Sequence, residues 1–281
     1  MMKKILIILT IYLLVPYLLR SQDIRTQFFP KTELKAENIP DKENLWVFIL
    51  AGQSNMAGRG LVEPQDTIPS ERILTINKNG EIIVAKEPLH FNEPSMAGLD
   101  CGLSFGKSMI RQLPDSISIL LIPVAVGGSS ISQWTGDSIF RKVQLLTNFR
   151  EKVMLGQRYG LIKGILWHQG ENDANQIDIP LYKNRLTALF GKFREISGNK
   201  NLPILIGELG SYSENNENWK KINEQIRLYS STDNNTIIIS TTDLKEKGDK
   251  VHFNSEGQRM MGQRFADGYI SKILSNPDDN K

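Results

Sequence analysis

The sequence predicts an α/β protein built on a parallel sheet that helices cover on both faces. Five apolar segments of strand length alternate with segments that have the length and pattern of helices. The apolar segments are nearly continuous, which is typical of strands buried on both faces. Polar side chains directly follow three of these segments, and open parallel sheets bind ligands at the carboxyl ends of their strands.

The elements follow from this pattern in chain order. The predicted strands are residues 45–51, 116–126, 161–167, 202–207 and 236–240. The predicted helices are residues 99–111, 137–155, 180–197, 215–230 and 255–273.

Residues 59–99 interrupt this alternation. They contain several prolines and two short β-like pieces, residues 72–77 and 81–85, and Asn79-Gly80 between the pieces is a hairpin signal. We interpret 59–99 as an insertion that covers one side of the ligand site.

The size and composition suit a globular domain. The chain has 281 residues, of which 40% are hydrophobic and 23% are charged. We expect one domain over residues 45–275, preceded by an extended lead-in segment, residues 22–44, that contains Pro30 and Pro40.

The first 21 residues have the pattern of a secretory signal peptide. A short positive start, Met1-Met2-Lys3-Lys4, precedes an almost wholly apolar stretch at 5–19 that is short for a membrane span. We therefore expect a secreted or periplasmic protein with no stable membrane partner after cleavage. The alternative is an uncleaved N-terminal anchor.

Cleavage would bring the net charge close to zero. The segment holds Lys3, Lys4 and Arg20 and no acidic residue, so 34 − 3 = 31 basic residues remain against 31 acidic ones. This balance gives no sign of a nucleic-acid-binding surface. Cys101 is the only cysteine, so no intramolecular disulfide can form and stability depends on the core.

The end of the first strand provides a candidate nucleophile, Ser54. Gly52 can turn sharply because it has no Cβ, which places Ser54 just past the carboxyl end of a central strand. If a helical turn begins there, its free N–H groups favour negative charge that develops beside the serine. The alternative is an ordinary turn, since Gly, Ser and Asn are common turn residues.

A general base must come from His90, His168 or His252, the three histidines of the chain. Asp249 lies three residues before His252, and on a tight loop its carboxylate can reach the imidazole and fix its tautomer. The alternative is a solvated surface pair. His168 follows a buried strand and could be a base or a core histidine. His90, in the proline-rich region, could line a substrate cleft or be a plain loop residue.

Acyl transfer also needs donors for an oxyanion. The backbone N–H of Ser54 is one candidate, and Gly128 can approach a ligand closely because it lacks a side chain. Gln169 and Asn172 each offer a side-chain amide after the third strand, and the sequence does not decide between them.

The residues do not suggest metal or cofactor chemistry. The His168-Gln-Gly-Glu171 segment lacks the histidine pair of a zinc helix, and Gly127-Gly128 lacks the Lys-Ser/Thr of a phosphate loop. Cys101, at the head of a predicted helix, is a weaker candidate nucleophile and is more typical of a small buried residue. We expect neither a metal nor a cofactor.

Four motifs occur in order along the chain: Gly52-Gln53-Ser54-Asn55-Met56-Ala57-Gly58, then Gly127-Gly128-Ser129-Ser130 with Trp134, then Trp167-His168-Gln169-Gly170-Glu171-Asn172-Asp173, and last Asp249-Lys250-Val251-His252-Phe253-Asn254. Together they resemble the SGNH hydrolase superfamily. The resemblance is to its carbohydrate esterases, which include acetylxylan esterases and sialate O-acetylesterases, and it spans about residues 45–270.

This resemblance implies a three-layer α/β/α sandwich with a five-stranded, flavodoxin-like parallel sheet. It also implies hydrolysis of O-acetyl esters on sugars without a metal, with Ser54 as nucleophile, His252 as base and Asp249 as the acidic residue of the triad that holds His252. Its second motif implies that Gly128 donates to the oxyanion. Carbohydrate esterases of this branch often lack the asparagine found here at Asn172, so Gln169 could share that role.

We therefore predict a serine esterase that deacetylates xylan, sialic acid or a related glycan through an acetyl-serine intermediate. The residues to which we assign substrate binding lie within the motifs: Gln53, Asn55, Trp134, His168 and Glu171. Two alternatives remain: a carbohydrate-binding protein that has lost catalysis, and a short-chain or lipid esterase on the same fold.

Overall fold

A seven-stranded sheet runs through the centre of the protein in the computed structural model, which describes residues 23–274. Within these residues the strands are β1 (Leu45–Gly52), β2 (Ile73–Ile76), β3 (Ile82–Val84), β4 (Ser118–Pro123), β5 (Ile139–Phe140), β6 (Val143–Gln144), β7 (Leu161–His168), β8 (Ile204–Gly207) and β9 (Thr236–Ile239). The central sheet has the order β3-β2-β4-β1-β7-β8-β9, and β5 and β6 form a separate two-stranded sheet. The predicted signal peptide, residues 1–21, lies outside the described residues.

The five predicted strands lie next to one another in the sheet. They are β4, β1, β7, β8 and β9, and each pairs in parallel with its neighbour. In chain order this arrangement is second-first-third-fourth-fifth, which is the flavodoxin-like order. These strands appear in the sequence as continuous apolar runs because every residue of β4 and nearly every residue of β1 is buried.

The predicted number of five strands was wrong, because the proline-rich segment adds two strands to the sheet. β2 pairs in parallel with β4, and β3 pairs antiparallel with β2 around the predicted Asn79-Gly80 turn. Gly80 has a φ of +81°, which glycine adopts without strain. All four side chains of β2 are buried, so this edge extends the core.

Helices cover both faces of the sheet. They are α1 (Ser54–Ala57), α2 (Gly102–Ile110), α3 (Ile131–Thr135), α4 (Leu145–Tyr159), α5 (Ile179–Ser197), α6 (Asn216–Ser230) and α7 (Ser255–Tyr269). Apolar residues of α3 to α6 pack on one face of the sheet, and those of α1, α2 and α7 pack on the other. Along β1, Val47 and Ile49 face the first layer while Phe48 and Leu50 face the second. The protein is therefore the predicted three-layer sandwich.

The predicted helix over residues 137–155 begins later than expected. Residues 139–144 form the β5–β6 hairpin, and α4 starts at Leu145. The two turn residues, Arg141 and Lys142, have φ values of +46° and +67°. Such a two-residue turn usually carries Asn-Gly or Asp-Gly, so the sequence lacked its ordinary signal.

The lead-in segment protects the edge of the sheet. The backbone N–H of Val84 in β3 donates to the carbonyl of Leu34 at 2.8 Å, and Lys35 forms a β-bridge with Ile83. An unpaired edge strand would expose N–H and C=O groups to other chains. Within residues 23–274, no helix is long and apolar enough to cross a membrane.

Candidate active site

The nucleophile turn lies where β1 and β7 end side by side. Gly52 pairs with His168 in the parallel register, and the Gln53 N–H donates to the His168 carbonyl at 2.9 Å. Gly52 has a φ of +137°, and a Cβ there would lie 2.1 Å from the His168 oxygen. Only glycine fits this close approach. The chain then turns directly into α1, whose first residue is Ser54.

Ser54, His252 and Asp249 form a hydrogen-bonded triad. His252 Nε2 lies 2.9 Å from Ser54 Oγ, and His252 Nδ1 lies 2.7 Å from Asp249 Oδ2. The carboxylate favours the tautomer with its proton on Nδ1, which leaves Nε2 free to accept the serine proton. The structure thus brings together all three residues predicted for catalysis, although Ser54 and His252 are 198 positions apart.

Asp249 is held as a carboxylate. Burial alone would raise its pKa, but hydrogen bonds from the His252 ring and from the backbone N–H groups of His252 and Val251 lower the pKa to about 2. Asp249 is therefore negatively charged at neutral pH. It can stabilise the imidazolium that forms when His252 takes a proton.

Asn55 holds the loop that carries His252, rather than facing the substrate. Its Nδ2 donates to the Val251 carbonyl at 3.1 Å, and its Oδ1 accepts from the Phe253 N–H at 3.0 Å. These two bonds lie on either side of His252. The Asn55 side chain is fully buried, so our prediction of a substrate contact was wrong.

A cavity of about 270 Å³ opens over Ser54 and His252. It is lined by Gln53, Ser54, Arg59, Met96, Gly127, Gly128, Arg141, Glu171, Asn172, Val251 and His252. The cavity is small for a large ligand but suits the ester end of one.

Two residues that line the cavity, Ser54 and Gly128, have backbone N–H groups that are free to bind an oxyanion. Within residues 23–274, neither the Ser54 N–H nor the Gly128 N–H has a hydrogen-bond acceptor. Gly128 has a φ of +78°, so glycine suits this position. Asn172 lines the same cavity, and its backbone N–H donates to Gln53 Oε1 at 3.3 Å, which positions the residue beside the nucleophile turn.

Gln169 does not reach the cavity. It is fully buried, and its Nε2 donates to Gln53 Oε1 at 3.1 Å, to the Ser129 carbonyl at 3.2 Å and to Asp173 Oδ2 at 2.5 Å. This amide links the ends of the strands internally. Of the two amides that the sequence left open, Asn172 is therefore the one at the site.

Trp134 and His168 are core residues, which corrects their predicted substrate contacts. Trp134 is fully buried in α3 and packs edge-on against Trp167, with ring centroids 5.6 Å apart. His168 is also fully buried, and its Nε2 lies 3.0 Å from the Glu208 carbonyl, so this nitrogen carries the proton. Burial lowers the pKa of His168, which keeps the ring neutral.

Glu171 reaches the cavity, but its carboxylate faces inward. Oε1 accepts from Asn55 Nδ2 at 2.6 Å and lies 3.5 Å from His168 Nδ1. The side chain is only 5% exposed. Glu171 therefore orients the Asn55 side chain through this hydrogen bond rather than contacting the cavity with its carboxylate.

The other two sequence candidates lie away from the cavity lining. His90 is buried, with Nδ1 2.7 Å from Asp100 Oδ2. Cys101 is buried against Met56, and burial raises the pKa of its thiol well above the ordinary value. A buried thiol with a raised pKa is a poor nucleophile.

The sequence analysis missed a charged wall of the cavity, in which Arg59 and Arg141 line the cavity and Glu93 pairs with both of them. Glu93 Oε2 accepts from Arg59 Nη2 at 3.0 Å, and Oε1 accepts from Arg141 Nη1. The side chains of Arg59 and Glu93 are 3% and 8% exposed, while that of Arg141 is 40% exposed. Glu93 lies 34 positions from Arg59 and 48 positions from Arg141, and no spacing in the sequence connects the three residues.

Comparison with known proteins identifies the family. Residues 44–271 match the family model described as carbohydrate esterase, sialic acid-specific acetylesterase. The chain belongs to this family. Its members are carboxylic ester hydrolases, so the triad and the open cavity belong to an enzyme of that class.

Relatives of this carbohydrate esterase agree with the assignment. The chain is similar to a probable carbohydrate esterase of Arabidopsis thaliana, with 30% identity over 250 residues that cover 81% of this chain and 91% of the relative. A crystal structure of the same Arabidopsis thaliana protein superposes with a TM-score of 0.72 at 27% identity, covering 82% of this chain and 99% of that one. A carbohydrate acetylesterase of Xanthomonas citri shares the fold, with a TM-score of 0.62 at 16% identity, covering 83% of this chain and 57% of that one.

Proposed function

We propose that this carbohydrate esterase removes O-acetyl groups from a glycan through an acetyl-serine intermediate on Ser54. The observation that carries the proposal is the pair of hydrogen bonds that connects Ser54 Oγ to His252 at 2.9 Å and His252 to Asp249 at 2.7 Å. A serine with a base in contact and a carboxylate behind that base is the arrangement that acyl transfer requires.

In the first half of the reaction Ser54 Oγ attacks the acetyl carbonyl carbon while His252 Nε2 takes the serine proton. The resulting tetrahedral oxyanion is bound by the N–H groups of Ser54 and Gly128 and by the Asn172 amide. The carbonyl re-forms, the bond to the sugar oxygen breaks, and His252 gives its proton to the departing hydroxyl. Water then attacks the acetyl-serine by the same steps and releases acetate.

Acetate release from two glycans tests the function. We would measure it from acetylated xylan and from O-acetylated sialic acid, with the wild type beside Ser54→Ala. Release from one glycan that the variant loses supports both the mechanism and that substrate. A folded Ser54→Ala variant with near-normal ester hydrolysis would contradict the proposal.

The alternatives make different predictions. A carbohydrate-binding protein without catalysis would need none of the contacts that join Ser54, His252 and Asp249. A lipid esterase would prefer octanoyl to acetyl esters, whereas a cavity lined by polar side chains such as Arg59, Arg141 and Asn172 favours a short acyl group. Comparing acetyl with octanoyl esters of one alcohol separates these two enzyme classes.

We also propose that the enzyme acts outside the cytoplasm, because residues 1–21 have the signal-peptide pattern. A mature N-terminus near Gln22, found by mass spectrometry of the exported protein, would support this. Retention of residues 1–21 would favour the anchor.

A further inference from the structure

We propose that Glu93 is a positioning residue for the oxyanion site, acting through the backbone N–H of Gly127. The inference rests on the proposed function, since the orientation of the Gly127-Gly128 loop affects turnover only if an oxyanion forms beside Ser54. Nothing in the spacing of the sequence motifs points to Glu93, which lies in the proline-rich segment.

The contact between the two segments is short and shielded. Glu93 Oε2 accepts from the Gly127 N–H at 2.6 Å, and the Glu93 side chain is 8% exposed. Hydrogen bonds to an ionised acceptor are about twice as strong as neutral ones. A shielded carboxylate is therefore a firm anchor for this backbone group.

The bond restrains a part of the chain that would otherwise be loose. Two consecutive glycines have more backbone freedom than any other pair of residues. Among residues 23–274, backbone–backbone hydrogen bonds hold the loop only at its ends, from the Val126 N–H to the Gly52 carbonyl at 3.1 Å and from the Ser129 N–H to the Val126 carbonyl at 3.3 Å. Between those ends, Glu93 fixes Gly127, whose carbonyl carbon is bonded to the Gly128 nitrogen.

Glycine at position 127 is part of this arrangement. A Cβ there would lie 2.2 Å from Arg59 Nη2 and 2.9 Å from Glu93 Oε2. The carboxylate and the guanidinium thus occupy the space that any other side chain would need. The anchor and the glycine depend on each other.

The charges of Arg59 and Arg141 offset the negative charge of Glu93 beside the oxyanion site. A lone negative charge beside the oxyanion would oppose its formation. Burial alone would raise the pKa of Glu93, but the Gly127 bond and the Arg59 and Arg141 charges lower the pKa below its ordinary value. Glu93 is therefore ionised, and two positive charges more than neutralise it.

The test compares two variants of similar size, Glu93→Gln and Glu93→Met. Both remove the charge, but only glutamine keeps an oxygen that can accept the Gly127 N–H. With p-nitrophenyl acetate as the probe, we expect the kcat of E93M to be about 10-fold or more below that of E93Q, with a smaller change in KM. Losing an oxyanion donor outright costs about 100- to 1,000-fold, which sets the upper bound.

Asp233→Ala is the matched control. Asp233 is also a shielded carboxylate paired with an arginine, Arg194 at 2.6 Å. It lies just before the first residue of β9, whereas the active site lies past the carboxyl ends of the strands. We expect D233A to lower the Tm with little change in kcat. A comparable loss of kcat in D233A would mean that the Glu93 effect is one of general stability, which would overturn the proposal.

Equal kcat values for folded E93Q and E93M would overturn the proposal while leaving the proposed function intact. Should E93M fail to fold, hydrogen exchange of the folded wild type and E93Q decides: slow exchange of the peptide that contains Gly127 is expected in both, and fast exchange in the wild type overturns the inference. If Ser54→Ala hydrolyses the probe as fast as the wild type, the proposed function fails first and the inference falls with it.

Discussion

At the residue scale, the motifs identified the reacting groups better than the residues around them. Ser54, His252 and Asp249 were predictable because each follows a recognisable strand end or loop and their chemistry requires one another. Asn55 and Trp134 lie in the same motifs, yet both side chains face the interior. A motif gives the residue type, whereas the direction of a side chain depends on packing that the sequence does not show.

Asn172 and Gln169 should respond differently to truncation. We expect Asn172→Ala to lower kcat by about 100- to 1,000-fold with little change in Tm, because it removes an oxyanion donor at the cavity. Gln169→Ala should instead lower the free energy of unfolding by about 1–3 kcal/mol, because it removes buried hydrogen bonds to Gln53, Ser129 and Asp173. Steady-state kinetics and thermal unfolding of both variants check this. An N172A variant with wild-type kcat would contradict it.

At the element scale, the central strands could be predicted because burial on both faces leaves long apolar runs, and most helices lie in the segments between those runs. The β5–β6 hairpin could not. Its turn residues, Arg141 and Lys142, adopt positive φ without the usual asparagine or glycine, while Asp137 and its neighbours continue a pattern that favours a helix. The hairpin is relevant to function because its turn places Arg141 in the lining of the cavity.

Lys142 offers a test of this turn. A non-glycine residue in the left-handed region costs roughly 1–2 kcal/mol, and a β-branched residue fares worse. We expect Lys142→Val to lower the free energy of unfolding by about 1–2 kcal/mol, and Lys142→Gly to leave it unchanged or raise it slightly, since relief of strain offsets the greater freedom of glycine. Chemical denaturation measures both, and the reverse order would contradict the turn.

At the scale of the whole molecule, the site exists because parallel strands end at one edge. This rule allowed the polar clusters to be predicted as neighbours from their positions after the apolar runs. The same rule could not predict that Glu93 pairs with Arg59 and Arg141 at the cavity, because Glu93 and Arg141 lie on an insertion and a hairpin rather than on the central strands.

The stability of the molecule should depend on pH mainly on the acid side. Hydrogen bonds outweigh burial in Asp249, and the Arg264 hydrogen bond acts likewise in Asp243, so that both have a pKa of about 2 when folded. The ordinary value is about 3.9. Because the folded pKa is depressed, their stabilisation is present above a pH of about 3.9 and is lost as the pH falls towards 2.

Two buried carboxyls act in the opposite direction. Burial raises the pKa of Glu87 and of Asp173. As the pH falls towards these raised values, protonation removes a buried charge and stabilises the folded state. We therefore expect the Tm to hold or rise slightly from about pH 7 to 5 and to drop between about 4 and 2. The Asp249→Asn, Asp243→Asn double variant should flatten that drop. A double variant with the wild-type slope would contradict this account.

The central claim is that Ser54 is a nucleophile activated by His252, and covalent labelling tests it most directly. The wild type, Ser54→Ala and His252→Ala would each be incubated with a serine-directed fluorophosphonate, followed by intact-mass measurement and peptide mapping. We predict one adduct on Ser54 in the wild type, none in S54A, and much slower labelling in H252A. A folded wild type that forms no adduct, or forms it at another residue, would contradict the claim.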